Sequence, residues 1–149
     1  MIRPSGLRCR AGLKIEYQYA NSVRILCGQN HRTGTTFEGQ DGIIYVDRGR
    51  LECTLKGVLD EPLGQDEVRL PVSKNHHLNW FESIKSRKLP ICDVAIGHRS
   101  ATVCHLGNIA ARLGRKIKWD PAKEEIAGDT EAAKRLSYTY RAPWSLPKG

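Results

Sequence analysis

Leu13-Lys14-Ile15-Glu16-Tyr17-Gln18-Tyr19 opens a stretch, running to Leu55, whose reading decides the fold. Apolar and polar residues alternate without a break over these seven positions, and a period of two puts Leu13, Ile15, Tyr17 and Tyr19 on one face of a strand. Ala20-Asn21-Ser22 reads as a turn, and Val23-Arg24-Ile25-Leu26-Cys27 as the return strand of a hairpin. Thr35-Thr36-Phe37-Glu38, Ile43-Ile44-Tyr45-Val46 and Arg50-Leu51-Glu52-Cys53-Thr54-Leu55 follow, divided by the turns Gly39-Gln40-Asp41-Gly42 and Asp47-Arg48-Gly49. Short connections of this kind predict five strands in one antiparallel meander. Ile43 and Tyr45 point one way while Ile44 and Val46 point the other, so both sheet faces need cover in places.

Beyond the strands, residues 57–72 hold Gly57, Pro62, Gly64 and Pro71 among mixed charges and read as a surface loop. Ser73 is suited to cap a helix that carries Leu78, Trp80, Phe81 and Ile84 to about Arg87, with Pro90 ending it. A second helix is expected from Val94 to Leu113. One stripe holds Val103, Leu106, Ala110 and Leu113, a second the small residues Ala101, Cys104, Asn108 and Ala111, and Gly114 is the stop. Lys116-Ile117-Lys118-Trp119 predicts a short strand before an Asp120-Pro121 turn, Asp129 caps a short helix to Leu136, and residues 138–149 form a tail. The predicted architecture is a single α+β domain over 1–149, with a core at 12–136 and an extended tail at 137–149. Its open, mainly antiparallel sheet carries two principal helices on one face. The opposite face lacks sequence to cover it, which predicts a homodimer through that face or a covering domain from elsewhere.

A chain of 149 residues is long enough for a core that needs neither disulfides nor a metal. With 40% hydrophobic and 27% charged residues it has the balance of a soluble globular protein, and no apolar run approaches the ~20 residues of a membrane span. The N-terminal Arg3, Arg8 and Arg10 are not followed by an apolar stretch, so no secretory signal is expected and the cytoplasm is the expected location.

The net charge of +8 raises the question of nucleic acid, and its distribution answers it. Basic and acidic side chains number eight and four over residues 1–50, seven and seven over 51–100, and nine and five over 101–149. The excess is dispersed, and its clusters at Lys85-Ser86-Arg87-Lys88 and Arg112 to Lys118 stand near helix ends, where cations favour the dipole. Nucleic acid is therefore not the expected partner.

Cys9, Cys27, Cys53, Cys92 and Cys104 form no Cys-x-x-Cys pair, so they predict reduced thiols, with Cys27, Cys53 and Cys104 as small buried hydrophobes. His76, His77, Cys92, Cys104 and His105 are the nearest approach to a metal set, but adjacent histidines point to different helix faces, and no metal is expected. No two of the fourteen glycines are separated by one residue, which excludes the dinucleotide fingerprint, and the Gly34/Gly39 pair is followed by Gln40 and Asp41 rather than Lys-Ser/Thr.

Four segments resemble a known family. Thr36 to Gly49, His76-His77-Leu78-Asn79-Trp80-Phe81-Glu82-Ser83-Ile84 with its continuation to Pro90, Ile91-Cys92-Asp93-Val94-Ala95-Ile96-Gly97-His98-Arg99-Ser100-Ala101, and Arg141-Ala142-Pro143-Trp144-Ser145-Leu146 are similar to the C-terminal α/β domain of the Gfo/Idh/MocA oxidoreductases, in its divergent bacterial branch. The resemblance spans about residues 12–147. It implies an open sheet serving substrate contact and oligomer formation, beside a separate Rossmann domain that binds NAD or NADP. That domain's nucleotide fingerprint and Glu-Lys-Pro motif, and the catalytic histidine motif of the family, have no counterpart here. The implied function is that of a stand-alone or truncated substrate-side and oligomerisation domain of a sugar-type oxidoreductase, not catalytic alone and binding no cofactor by itself. Two alternatives stay open: a subunit completing a dehydrogenase with a separate Rossmann polypeptide, and a basic anion- or nucleic-acid-binding module.

Asp93, His98 and Arg99 are the substrate-binding candidates. They stand at the start of the second helix, where unpaired N–H groups and the dipole favour an anion, and a His/Arg pair there could orient a sugar hydroxyl or a carboxylate. Asp93 also reads as the helix cap and Arg99 as a member of a surface ion pair, and this purely structural reading is the favoured one. Trp80, Phe81, Trp119 and Trp144 are expected as core or interface anchors.

Overall fold

In a computed structural model, residues 14–28 and 31–145 are described. Leu13, Cys9, the basic N-terminal stretch and the last four residues of the tail lie outside them. The chain divides into two compact units, residues 1–27 with 93–149, and residues 28–92.

The first unit begins with β1 (Lys14–Gln18) and β2 (Arg24–Gly28), which pair as a hairpin. Tyr19 N–H donates to the Val23 carbonyl at 2.9 Å and closes the turn at the place the sequence put it. Alternation in β1 leaves Lys14, Glu16 and Gln18 exposed and half-buries Ile15 and Tyr17. The unit continues with α2 (Val94–Leu113), named after α1 (His76–Ser86) of the second unit. Asp93 caps α2, its carboxylate accepting from the N–H groups of Ala95 and Ile96 at 2.6 and 3.2 Å. Gly114 ends the helix at φ 65°, a left-handed conformation that suits a residue without Cβ.

Two faces of α2 are used. One meets β1: Gly107 is buried, and the Tyr17 hydroxyl donates to the Val103 carbonyl at 3.1 Å. The stripe of small residues expected to allow close approach is therefore displaced, since Gly107 makes the approach while Ala101, Cys104, Asn108 and Ala111 are exposed. Burial against α2 is the largest cause that holds the Tyr17 phenol above its ordinary pKa, so it remains a hydrogen-bond donor. The other face carries Leu106, Ile109 and Leu113, at helical spacing, into a small core with Ile126 and Ala132.

That core is closed by β6 (Trp119–Asp120), β7 (Glu125–Ile126), α3 (Thr130–Ala133) and a 3-10 turn (Lys134–Leu136). The sequence reading of a strand at 116–119 shifts by a few residues, and its antiparallel partner β7 went unread. Asp129 caps α3 as expected, accepting from Ala132 N–H at 2.9 Å. Arg115 clamps the corner, reaching Asp129 through two nitrogens at 3.0 Å and Glu131 at 2.8 Å.

Hydrogen bonds from Arg115 are the largest cause that holds both carboxyls below their ordinary range. A carboxyl with a depressed folded pKa contributes stability that is present above its unfolded value, near ~4, and lost as pH falls through the folded value. Acid titration followed by circular dichroism should therefore show stability falling at the acid end, and Arg115→Gln should make that fall shallower. An unchanged acid limb in the variant would remove the clamp from the account.

The second unit holds β3 (Thr35–Glu38), β4 (Ile43–Asp47) and β5 (Arg50–Cys53) in the order β3-β4-β5. Register pairs Phe37 with Ile44 and Ile44 with Cys53, and Val46 with Leu51, so these five share one apolar face. Helix α1 lies in the same unit. Asn75, not Ser73, caps it, accepting from His77 and Leu78 N–H at 3.0 and 3.1 Å, while the Ser73 hydroxyl donates to the Asn75 carbonyl. No regular element occupies residues 57–72.

The class is α+β, as the sequence implied. The expected single meander is divided, because β1-β2 and β3-β4-β5 are separate sheets among the described residues. The two principal helices divide likewise, α2 packing on β1 and α1 belonging to the other unit. Among the described residues the buried hydrophobic residues are Tyr45, Ile109, Ile126 and Ala132. Phe37, Leu51, Trp80 and Phe81 each keep more than half of their surface exposed. Cys27 and Cys104 are exposed rather than buried, since β2 and the adjoining face of α2 are left open.

Candidate functional site

Helix α2 places His98, His105 and Arg112 seven residues apart, two turns each, so they form one stripe with a drift of only about 20° per step. The stripe borders a cleft of about 890 Å³ that lies wholly within the first unit. Buried Ile109 and half-buried Leu106 and Trp119 give it an apolar floor. Lys134 and Arg135 reach it from the 3-10 turn, and Tyr138 stands where the tail begins.

Glu124 enters from the loop between β6 and β7. Asp120 accepts from Ala122 and Lys123 N–H at 3.0 and 3.2 Å, starting a turn that Pro121 favours, and Glu124 completes it in the left-handed region at φ 53°. This brings the Glu124 carboxylate to 2.9 Å from His98 Nε2. An ionised carboxylate only accepts, so Nε2 carries the hydrogen and Nδ1 of a neutral imidazole is an acceptor. The Thr102 hydroxyl donates to the His98 carbonyl at 2.9 Å one turn on.

Of the three residues expected together, only His98 faces the cleft. His98 lines the cleft, Asp93 is engaged as the helix cap, and Arg99, one residue and about 100° further round α2, is not among the lining residues. The expected ion pair of Arg99 is not found among the described residues. Glu124, His105, Arg112 and Lys134 also line the cleft, a grouping the sequence reading did not make. The seven-residue spacing was visible in the sequence, whereas the approach of Glu124 and Lys134 depends on chain 12 or more residues away.

The second unit has its own polar cluster. Arg32 holds both oxygens of Glu52, at 2.6 and 2.8 Å, and its guanidinium lies 3.4 Å above the Tyr45 ring. Hydrogen bonding from Arg32 is the largest cause lowering the Glu52 carboxyl. Tyr45, 5% exposed, donates to the Thr33 carbonyl. Because the cation is already matched by a carboxylate and a ring, this cluster reads as a structural pin for the sheet.

A family model described as the oxidoreductase family's C-terminal alpha/beta domain, of the Gfo/Idh/MocA type, matches residues 9–146. The chain belongs to that family. No curated protein and no solved structure gives a significant match. Membership of the Gfo/Idh/MocA oxidoreductase family suggests NAD or NADP for its full-length members.

Among the described residues, the starts of α1 and α2 do not fit the pyrophosphate of a dinucleotide. A pyrophosphate needs a glycine-rich turn with open N–H groups at a helix start, and the Asp93 carboxylate already occupies those of α2 with a charge that repels phosphate. Asn75 occupies those of α1. Among the described residues no three His, Cys, Asp or Glu side chains gather as a metal site, and no helix is long and apolar enough to cross a membrane.

Proposed function

We propose that this chain is the substrate-side and oligomerisation part of a sugar-type NAD(P)-dependent oxidoreductase, with the cofactor held by a Rossmann domain in another segment or chain. The observation that carries the reading is the family match over residues 9–146 in a sequence without Gly-x-Gly. On this reading the 149 residues position a substrate and do not themselves transfer hydride. His98, whose Nε2–H is held by Glu124, accepts a substrate hydroxyl hydrogen at Nδ1, while Asp93 keeps the helix start in shape. Calorimetric titration with NAD(H) and NADP(H) should show no saturable binding. Saturable binding near micromolar affinity would overturn the division of labour.

The oligomerisation part rests on the face shared by Phe37, Ile44, Val46, Leu51 and Cys53, where Phe37 is 58% and Leu51 56% exposed. A contiguous apolar sheet face is costly in water, and a two-fold copy would cover it with its own like. Light scattering at tens of micromolar should give a dimer mass, and Phe37→Asp with Leu51→Asp should shift it toward monomer. A monomeric parent chain would defeat this part alone.

A further inference from the structure

We infer that the cleft along α2 binds a small ring-bearing organic dianion, either a phosphate monoester or a dicarboxylate, with its ring on the Leu106/Ile109/Trp119 floor and its charge between Arg112 and Lys134. The inference goes beyond the functional reading above and does not depend on where a nicotinamide cofactor is held.

Size sets the first constraint. At about 890 Å³ the cleft falls within the ~300–1,000 Å³ of small-molecule sites. The floor sets the second: an apolar base flanked by an indole removes water from a flat ring body and leaves its charged end at the polar rim.

Charge sets the third. Arg115, three residues beyond Arg112, is matched by Asp129 and Glu131, at 2.9 and 2.8 Å. Arg112 and Lys134 have no carboxylate within ion-pair distance among the described residues, and Arg135 shares Glu131 only at 3.7 Å. Glu124, the one acidic residue lining the cleft, is engaged by His98. The cleft thus has cations to spare beside an apolar floor. An anion that is bare would gain nothing from the floor, and a neutral ring would gain nothing from the cations. The dianion with a ring uses both.

The experiment is calorimetry on the full chain with phenyl phosphate and phthalate, against phenol and inorganic phosphate as the neutral ring and the bare anion. At least one dianion should bind about tenfold or more tightly than either control, as charge-assisted hydrogen bonds allow, and whichever binds names the head group. Arg112→Ala with Lys134→Ala should lower that affinity by about tenfold or more, while Lys85→Ala with Lys88→Ala leaves it unchanged. The Trp119 indole N–H resonance should shift on binding, a local readout that remains usable if the double variant folds poorly. No saturable binding up to about ten millimolar, inorganic phosphate binding as tightly as phenyl phosphate, or a folded double variant with undiminished affinity would each overturn the inference. A negative result here leaves the NAD(P) titration and the dimer mass unaffected, so the two readings fail separately.

Discussion

Gly107→Leu should destabilise the first unit by about 3 kcal/mol, read as a lower urea midpoint. A Cβ at this position would lie 2.1 Å from the Tyr17 hydroxyl oxygen and 3.2 Å from Ile15 Cδ1, and leucine adds three more carbons to that contact. Either the Tyr17 ring swings away or helix and hairpin separate, and in both cases the hydrogen bond from Tyr17 to the Val103 carbonyl is lost, at about 1 kcal/mol. Overpacking of a tight contact costs roughly 1–3 kcal/mol or more, while removing a glycine from a helix interior returns up to about 1 kcal/mol. The steric terms win. Gly107→Ala meets the same oxygen with one carbon, so its cost should shrink when Tyr17→Phe removes that oxygen. A double-mutant cycle with no coupling between positions 17 and 107 would show that the close approach does not limit stability.

Ile126→Ala is the second large effect, at about 2–5 kcal/mol. Ile126 is 5% exposed and packs with Ile109 and Ala132, with Leu106, Leu113, Ile117 and Trp119 around them. In so small a core few neighbours are free to collapse into the space left, so the lost contacts add to the lost transfer free energy. The same core is the floor of the cleft, so near-ultraviolet dichroism from Trp119 should weaken together with the urea midpoint. Ile126→Val, losing one methylene, should cost only about 0.5–1.5 kcal/mol. Equal midpoints for the parent and Ile126→Ala would mean that this cluster is not what holds α2 to β7 and α3.

Much of this is legible in the sequence. The alternation of Lys14 to Gln18, the Asp93 cap, the Gly114 stop and the Asp129 cap all depend on groups within a few residues of one another, and all are found where the sequence places them. Ser73 misled because Asn75, two residues later, starts the helix itself, its side-chain carbonyl accepting from the N–H groups of His77 and Leu78. The cleft was less legible. Its α2 stripe could be counted off at intervals of seven, yet Asp93 and Arg99, adjacent to His98 in the chain, do not line it, and Glu124, 26 residues from His98, does.

By itself, then, the sequence determined the α+β class, the positions of β1 to β5 and of the three α-helices, the lack of a dinucleotide fingerprint and the family. Hydrogen bonding and side-chain periodicity act over one or two turns, and segment-wide resemblance needs no contacts. Only the tertiary structure decided that β1 to β5 divide between two sheets, with β6 and β7 in a third, that Gly107 rather than the small-residue stripe meets β1, and that among the described residues Arg115 is matched by carboxylates while Arg112 and Lys134 are not. Those outcomes turn on which side chains meet across loops of a dozen residues or more, where packing and charge matching choose among partners that the local sequence leaves equivalent.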